Sequence, residues 1–298
     1  MKTVKIENVN YVRTGYGSDD ILKQEFVSAI FTYDDKGRVL EEKHFNPDNE
    51  HTDTFVNTYD GDLLVETSQY DENDYAIIKT LNVYNTEGQL VTKKNYYDEA
   101  SVEEVFAYDY AGGLLKAGYL VDDTGNRQCC KEYFYENPKN NTLLTKEIEY
   151  DEDGNILYMY IYKYDDSGSL VEKEFDEVAA KDKRVFNYEY DGNGNLVKEL
   201  TYNFDEILIA KKYCKYNEEG LILSEETEDL DNYKKIVYDY EGRNVVKISV
   251  LAKDESVVSW SELQYDAHNR LTASADYIID EVDPSEYRLV AEAYRIYE

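Results

Sequence analysis

The sequence predicts an all-β chain, a long antiparallel meander of about ten two-strand repeats forming a curled single-layer or shell-like sheet. Three observations predict it. A turn phrase recurs along most of the 298 residues: Tyr, then Asp or Asn, two variable residues, Gly, one variable residue and an aliphatic. A second turn, reading aromatic, Asp, acidic, falls between successive copies. Tyr numbers 32, against 9 Phe and 1 Trp, and it recurs where strands end.

In chain order, residues 1–32 precede the first phrase and are expected to form an N-terminal cap hairpin. Residues 33–275 hold the repeats and residues 276–298 a C-terminal cap hairpin, all within one domain, 1–298. Tyr33-Asp34-Asp35-Lys36-Gly37-Arg38-Val39 shows the phrase in full, and copies begin at Tyr84, Tyr108, Tyr150, Tyr164, Tyr190 and Tyr216. Looser copies begin at Tyr238 and Tyr265, a shortened one at Tyr59 and an expanded one at Tyr135. Tyr150 takes the second role by register. The first-type turns then start at 33, 59, 84, 108, 135, 164, 190, 216, 238 and 265, in steps of 22 to 29. The second-type turns are Tyr70-Asp71-Glu72, Tyr97-Asp98-Glu99, Phe175-Asp176-Glu177 and Phe204-Asp205-Glu206, with variants at Val121-Asp122-Asp123 and Phe45-Asn46-Pro47-Asp48.

The chemistry of the phrase is that of a hairpin. Asp or Asn favours the first position of a type I turn, and Gly takes the left-handed conformation that closes it with a bulge. Asn269 is the next-best residue for that backbone. Two strands and two turns per unit give about 22 strands of ordinary length. Tyr158, Tyr160, Tyr162 and Tyr164 alternate with Leu157, Met159 and Ile161, and both faces of residues 170–175 are mixed. A sandwich would separate dry and wet faces, so a single layer, or one that curls until distant parts touch, is expected.

With Gly37-Arg38-Val39 as its nearest copy, the phrase resembles the YD repeats of Rhs-type proteins, over residues 16–280. That resemblance implies a spiral β-sheet shell around a toxin, or an extracellular scaffold. The chain departs from the pattern in lacking the Gly that often precedes Tyr-x-Tyr-Asp. Asp283-Pro284-Ser285-Glu286 reads as a plain turn where a terminal core motif would stand. The segment after Tyr265 leaves no room for a toxin, and ten units are few for a closed cocoon. The resemblance therefore implies the strand repeat and not toxin delivery.

Charge excludes several classes of partner. Asp and Glu number 64 against 32 Lys and Arg, a net charge of −32. Such a chain repels phosphate, so neither a nucleic acid nor an anionic membrane surface is expected as partner. No run of apolar residues is long enough for membrane insertion. Residues 1–8 show no apolar leader core, so a cytoplasmic location is expected, or an exported one if an upstream signal peptide was removed. Cys129, Cys130 and Cys214 offer neither a disulfide framework nor a CxxC pair. The neighbours Cys129 and Cys130 are expected to point to opposite faces of a strand, one packed and one exposed.

No constellation for catalysis, cofactor or metal emerges. His44 and His51 flank the Pro47 turn and could face each other, with Asp48, Glu50 and Asp53 nearby, yet they read as surface histidines. Asp151, Asp153 and Asn155, and likewise Asp191, Asn193 and Asn195, echo a calcium loop. The Gly and Glu such a loop needs are replaced by Ile156 and Tyr162, and by Leu196 and Tyr202. Gly192-Asn193-Gly194 is not followed by a phosphate-binding helix. The expectation is a non-enzymatic scaffold without cofactor that binds another protein, a basic one, through a curved acidic Tyr-rich surface. Its concrete form would be a neutralising, immunity-like role in a bacterial toxin system. The alternative is a cell-surface or extracellular carbohydrate-binding module. Tyr158, Tyr160, Tyr162, Tyr164, Tyr188 and Tyr190 are the candidate binding residues, because Tyr gives large amphipathic contact area at low entropic cost. Unpaired terminal strands would also allow self-association.

Overall fold

The computed structural model describes residues 2–15, 20–97, 102–280, 283 and 286–298. Among them there is no helix, and the strands number 22, as expected. They are β1 (Lys2–Arg13), β2 (Ile21–Tyr33), β3 (Val39–Phe45), β4 (His51–Asp60), β5 (Leu63–Asp71), β6 (Ala76–Tyr84), β7 (Leu90–Tyr96), β8 (Val102–Ala111), β9 (Leu114–Val121), β10 (Arg127–Phe134) and β11 (Lys146–Tyr150). They continue as β12 (Ile156–Tyr164), β13 (Leu170–Glu177), β14 (Asp182–Tyr190), β15 (Leu196–Tyr202), β16 (Leu208–Tyr216), β17 (Ile222–Asp229), β18 (Tyr233–Glu241), β19 (Asn244–Leu251), β20 (Val257–Tyr265), β21 (Leu271–Ile279) and β22 (Tyr287–Tyr297). Two compact units divide the chain. The first holds Met1–Thr80, Tyr97–Glu99 and Lys234–Glu298, and the second Leu81–Tyr96 and Ala100–Tyr233.

Within the first unit, β1 pairs antiparallel with β2 on one side and with β22 on the other, from Val4 opposite Tyr297 to Asn10 opposite Ala291. Thr3 and Glu298 exchange backbone hydrogen bonds of 3.2 and 2.9 Å. All 22 strands belong to one sheet. The expected open, curled sheet of about ten repeats is therefore corrected: in connectivity this is a closed β-barrel. The physical reason is the cost of an edge, since an unpaired strand leaves a row of N–H and C=O groups without partners. β1 is long enough to satisfy both neighbours. The edge route to self-association is taken up by this pairing.

The turns follow one design. Asp34 N–H donates to the Arg38 carbonyl at 3.0 Å and Gly37 N–H to the Asp34 carbonyl at 3.1 Å. The Asp34 carboxylate accepts from the Lys36 and Arg38 amides, both at 2.9 Å. Asn85, Asp122, Asp151, Asp165, Asp191, Asn217 and Asp266 do the same in their turns. The second-type turns at Asn46, Asp71 and Asn203 share this geometry. They differ in filling the left-handed slot with Asn49, Asp74 or Glu206, at φ 62°, 63° and 60°.

Four expected turns shift, the one read at Phe204-Asp205-Glu206 by two residues, since Asn203 and not Asp205 is its first residue. Residues 175–177 lie in β13, and the turn comes after them, with Lys181 N–H donating to the Val178 carbonyl at 3.4 Å. The copies placed at Tyr108 and Tyr238 begin two residues later, at Tyr110 and Tyr240, where Gly112 and Gly242 open two-residue loops at φ 60° and 61°. The second-type turn at Tyr97-Asp98-Glu99 and the plain turn at residues 283–286 fall in part outside the described residues.

Almost every hairpin of the first type carries a register shift just before its Tyr. Lys163 faces Glu172 while Tyr164 faces Leu170, leaving Val171 as the extra residue, and the same occurs at Tyr59, Tyr190, Tyr216 and Tyr265. A bulge of this kind bends the strand and re-aims the neighbouring side chain. Among the described residues no large side chain is fully buried, and the few buried positions are held by Val9 and Ile148 and by small residues such as Ala29, Ala117, Thr54, Ser68 and Thr201. Stability therefore rests on half-buried cross-strand pairs and hydrogen bonds more than on a deep apolar core.

Candidate protein-binding face

The six candidate tyrosines lie in the second unit, Tyr158, Tyr160, Tyr162 and Tyr164 on β12 and Tyr188 and Tyr190 on β14, and all are half-buried. Alternation puts Tyr158, Tyr160 and Tyr162 on one face, and antiparallel register adds their opposite partners. Tyr160 faces Phe175 on β13 and Glu147 on β11, and Tyr158 faces Glu177 and Glu149. Phe175 is the hub: its ring lies 5.9 Å from that of Tyr158 and 5.3 Å from that of Tyr160. The Lys173 ammonium stands over Tyr160 at 4.7 Å, over Tyr162 at 5.9 Å and over Phe186 at 5.8 Å. Such cation–π contacts hold a lysine on an aromatic face.

Electrostatics on this face are set by two carboxylates. Lys131 reaches Glu147 at 3.1 Å and Glu149 at 3.2 Å. Burial pulls the Lys131 ammonium down, but its hydrogen bonds to both carboxylates outweigh that and raise it above the ordinary lysine range. Burial, then the charge of Glu147, pushes the Tyr162 phenol well up, and its hydroxyl lies 3.4 Å from Glu147. Tyr188 is pushed up to about 12, first by burial and then by Glu199. These phenols remain neutral donors at any physiological pH.

The structure divides the six by what their hydroxyls do. Tyr164 donates to the Leu144 carbonyl and Tyr190 to the Leu170 carbonyl, both at 2.8 Å. The same bond recurs from Tyr59 to Val39 at 3.2 Å, from Tyr110 to Leu90 at 3.0 Å and from Tyr297 to Leu271 at 2.9 Å. Tyr59, Tyr110 and Tyr190 thus tie themselves to the residue that opens the strand after the preceding first-type turn, Tyr297 makes the same bond from the end of β22, and Tyr164 reaches Leu144, two residues before β11. Tyr164 and Tyr190 belong to this ladder. Tyr162 leans on Glu147. Among the described residues, the hydroxyls of Tyr158, Tyr160 and Tyr188 have no hydrogen-bond partner.

The residues that complete the face, Phe175, Lys173 and Glu147, were not singled out by sequence. Alternation from Tyr160 across the next hairpin could have found Phe175. Trp260 in the first unit was also missed. Its indole stacks on Tyr277 at 4.7 Å, meets Tyr287 edge-on at 4.6 Å and lies under the Lys247 ammonium at 5.0 Å. Its surroundings are thus aromatic and cationic already, which makes it a packed cluster.

Other sequence candidates resolve locally. His44 and His51 do not face each other: register sets His44 opposite Asp53 and His51 opposite Phe45, because a bulge follows His44. The His44 imidazole lies between Asp53 and Glu42, each at 2.6 Å. Burial lowers its affinity for a proton, but the two carboxylates more than offset that and raise it above the usual histidine range. Asp151 and Asp191 spend their oxygens on turn amides and on the side chains of Asn155 and Asn195. Cys129 and Cys130 are both half-buried, correcting the expected split, because the β9–β10 register passes from Cys129 to Lys131 and leaves Cys130 as a bulge residue. Burial is the first cause that raises both thiols.

No family model matches the chain, and no curated protein matches it. Solved structures with some likeness include a chain of the TcdB2-TccC3-TEV crystal structure, at 12% identity and a TM-score of 0.37, covering 83% of this chain and 15% of that one. The Tc holotoxin pore of Photorhabdus luminescens follows at 11% identity and a TM-score of 0.28, covering 84% and 16%. A porin-like protein from Bacteroides uniformis covers 99% of this chain and 97% of its own, at 8% identity and a TM-score of 0.34. The chain spans about 15% of the length of the first toxin-complex chain. At these scores the overlays assign no family, and the YD-repeat resemblance rests on the recurring turn phrase.

Proposed function

We propose that the chain is a non-enzymatic repeat scaffold that binds a basic protein through the acidic, tyrosine-bearing face of its second unit. One observation carries the reading: Tyr158, Tyr160 and Tyr188 present half-buried rings with unpartnered hydroxyls, beside Glu149, Glu177 and Glu199 as their cross-strand neighbours. Half-exposed tyrosines of this kind supply contact area and a hydrogen bond at low entropic cost. A net charge of −32 favours a partner of opposite sign. In its concrete form the scaffold neutralises a basic partner in a bacterial toxin system, a reading supported by the acidity and the turn-phrase resemblance.

The test is affinity capture from the source organism across a salt series, repeated with a Tyr158→Ala, Tyr160→Ala double variant. A basic protein should be retained at low salt and released as screening shortens the Debye length to about 8 Å near physiological ionic strength. The double variant should retain less. Capture that ignores salt, or an unaltered yield with the double variant, would remove the reading.

A further inference from the structure

The face of β13–β15 opposite Phe175 carries a feature that the tyrosine site does not use. Glu172 faces Asn187 and Glu174 faces Val185, which in turn faces Tyr202 on β15. These residues line a groove of about 480 Å³ whose wall is formed by Phe204 and Glu206 from the β15–β16 turn. The sequence phrase makes Phe204 a strand-end aromatic, but the turn begins two residues earlier, with Tyr202 ending β15 and Asn203 N–H donating to the Ile207 carbonyl at 3.0 Å. Phe204 therefore stands at the loop tip, 71% exposed, beside Ile207 at 56%, and Leu230 on the β17–β18 turn is 78% exposed. Exposed Phe204 and Ile207 on one turn form an apolar rim that water disfavours.

The charge of the groove selects the occupant. Lys163 pairs with Glu172 and Glu174, and Lys183 pairs with Glu174 at 2.7 Å. Glu206 has no ion pair among the described residues. It also occupies the left-handed slot, φ 60°, that Gly194 and Gly220 fill in neighbouring turns. A carboxylate there is held in a conformation that disfavours a side chain, at the mouth of an aromatic-walled groove. A second copy of this chain would bring a further −32 charges, so it is not the occupant.

We propose that this groove docks a cationic, amphipathic segment of the partner protein, with an arginine side chain lying across Tyr202 and Phe204 and its guanidinium on Glu206, and with apolar neighbours on the rim. Arginine suits the site because its planar head stacks on aromatic rings and pairs with carboxylates, while its stem covers apolar surface. The inference rests on the basic-partner reading and adds a location to it.

The experiment uses the full chain and a fluorescein-labelled peptide of alternating arginine and leucine, titrated at about 150 mM salt, where unspecific charge attraction is screened. The parent should bind. Phe204→Ala should weaken binding about tenfold, as loss of an interface aromatic does, and Glu206→Gln should weaken it about threefold. Glu218→Gln, an exposed carboxylate on the turn at the other end of β16, should leave binding unchanged. Phe204 is exposed and outside the strands, so thermal melting should show Phe204→Ala folded as the parent. If the parent binds but Phe204→Ala and Glu206→Gln bind equally well, or if Glu218→Gln loses as much, the groove is not the site. If the parent does not bind the peptide, the basic-partner reading itself falls.

Discussion

A single backbone position decides much of each hairpin. In most turns the fourth residue is left-handed, and the chain fills it with Gly at 37, 88, 125, 154, 168, 194 and 220, with Asn at 49 and 269, and with Asp74, Lys181, Glu206 and Glu255 elsewhere. A side chain in that conformation costs about 1–2 kcal/mol. Asp74→Gly should therefore raise stability by about 1 kcal/mol, read as a higher denaturant midpoint with an unchanged slope. Gly88→Ala, at φ 77°, should lower it by a similar amount, although nothing lies within 4 Å of the added carbon. Equal midpoints for parent and Gly88→Ala would show that these slots tolerate side chains freely. This slot was legible in the sequence where Gly or Asn filled it. It was less legible at Glu206, because acidic residues are common along the whole chain and only the hydrogen bonds to Asn203 set the turn's first residue.

At the scale of strands and hairpins, tyrosine has two jobs that look identical in the sequence. Tyr188 and Tyr190 sit two positions apart on β14, yet only Tyr190 reaches back to a carbonyl of the preceding hairpin. Tyr190→Phe should cost about 1 kcal/mol, the usual net value of a hydrogen bond, and somewhat more if the Leu170 carbonyl stays dry. Tyr188→Phe should leave stability unchanged, since its hydroxyl has no partner among the described residues. Comparable losses for both would mean that the ladder hydroxyls carry no special weight. Strand order, turn spacing and the alternation on β12 could be read from residue types, because short turns join antiparallel neighbours. The bulge before each Tyr could not be read. It depends on the turn's own geometry, and one inserted residue decides which tyrosine meets the neighbouring strand. For the same reason the starts at Tyr108 and Tyr238 were misplaced by two residues.

For the whole molecule, closure and charge act against each other. Pairing of β1 with β22 was not legible, since the first and last strands carry no complementary motif and the pairing follows from where the meander ends. The net charge of −32 works against every compact state of the chain by self-repulsion. Three groups of titrations then shape stability as pH falls. Acidification from neutrality toward the pI near 4.4 removes net charge and should stabilise the fold. His44 acts in the same direction: its folded-state affinity for a proton is raised, so its contribution is complete below about 6.5, its unfolded value, and is lost as pH rises through the folded value. The turn aspartates act oppositely. Asp122 is held at about 2, first by the hydroxyl of Thr124 and the amide of Asn126, and Asp266 at about 2, first by the Arg270 backbone amide. Depressed values mean that the folded state binds fewer protons than the unfolded one. Their contribution is present above about 3.9 and lost as pH falls toward 2. Tm should therefore rise between pH 7 and about 4.5 and fall between about 4 and 2. Added neutral salt should raise Tm at pH 7 and matter little near the pI, because screening replaces what protonation has already removed. A Tm that falls steadily from pH 7 downward would show that native ion pairs such as Lys131 with Glu147, and not repulsion, dominate the electrostatics of this fold.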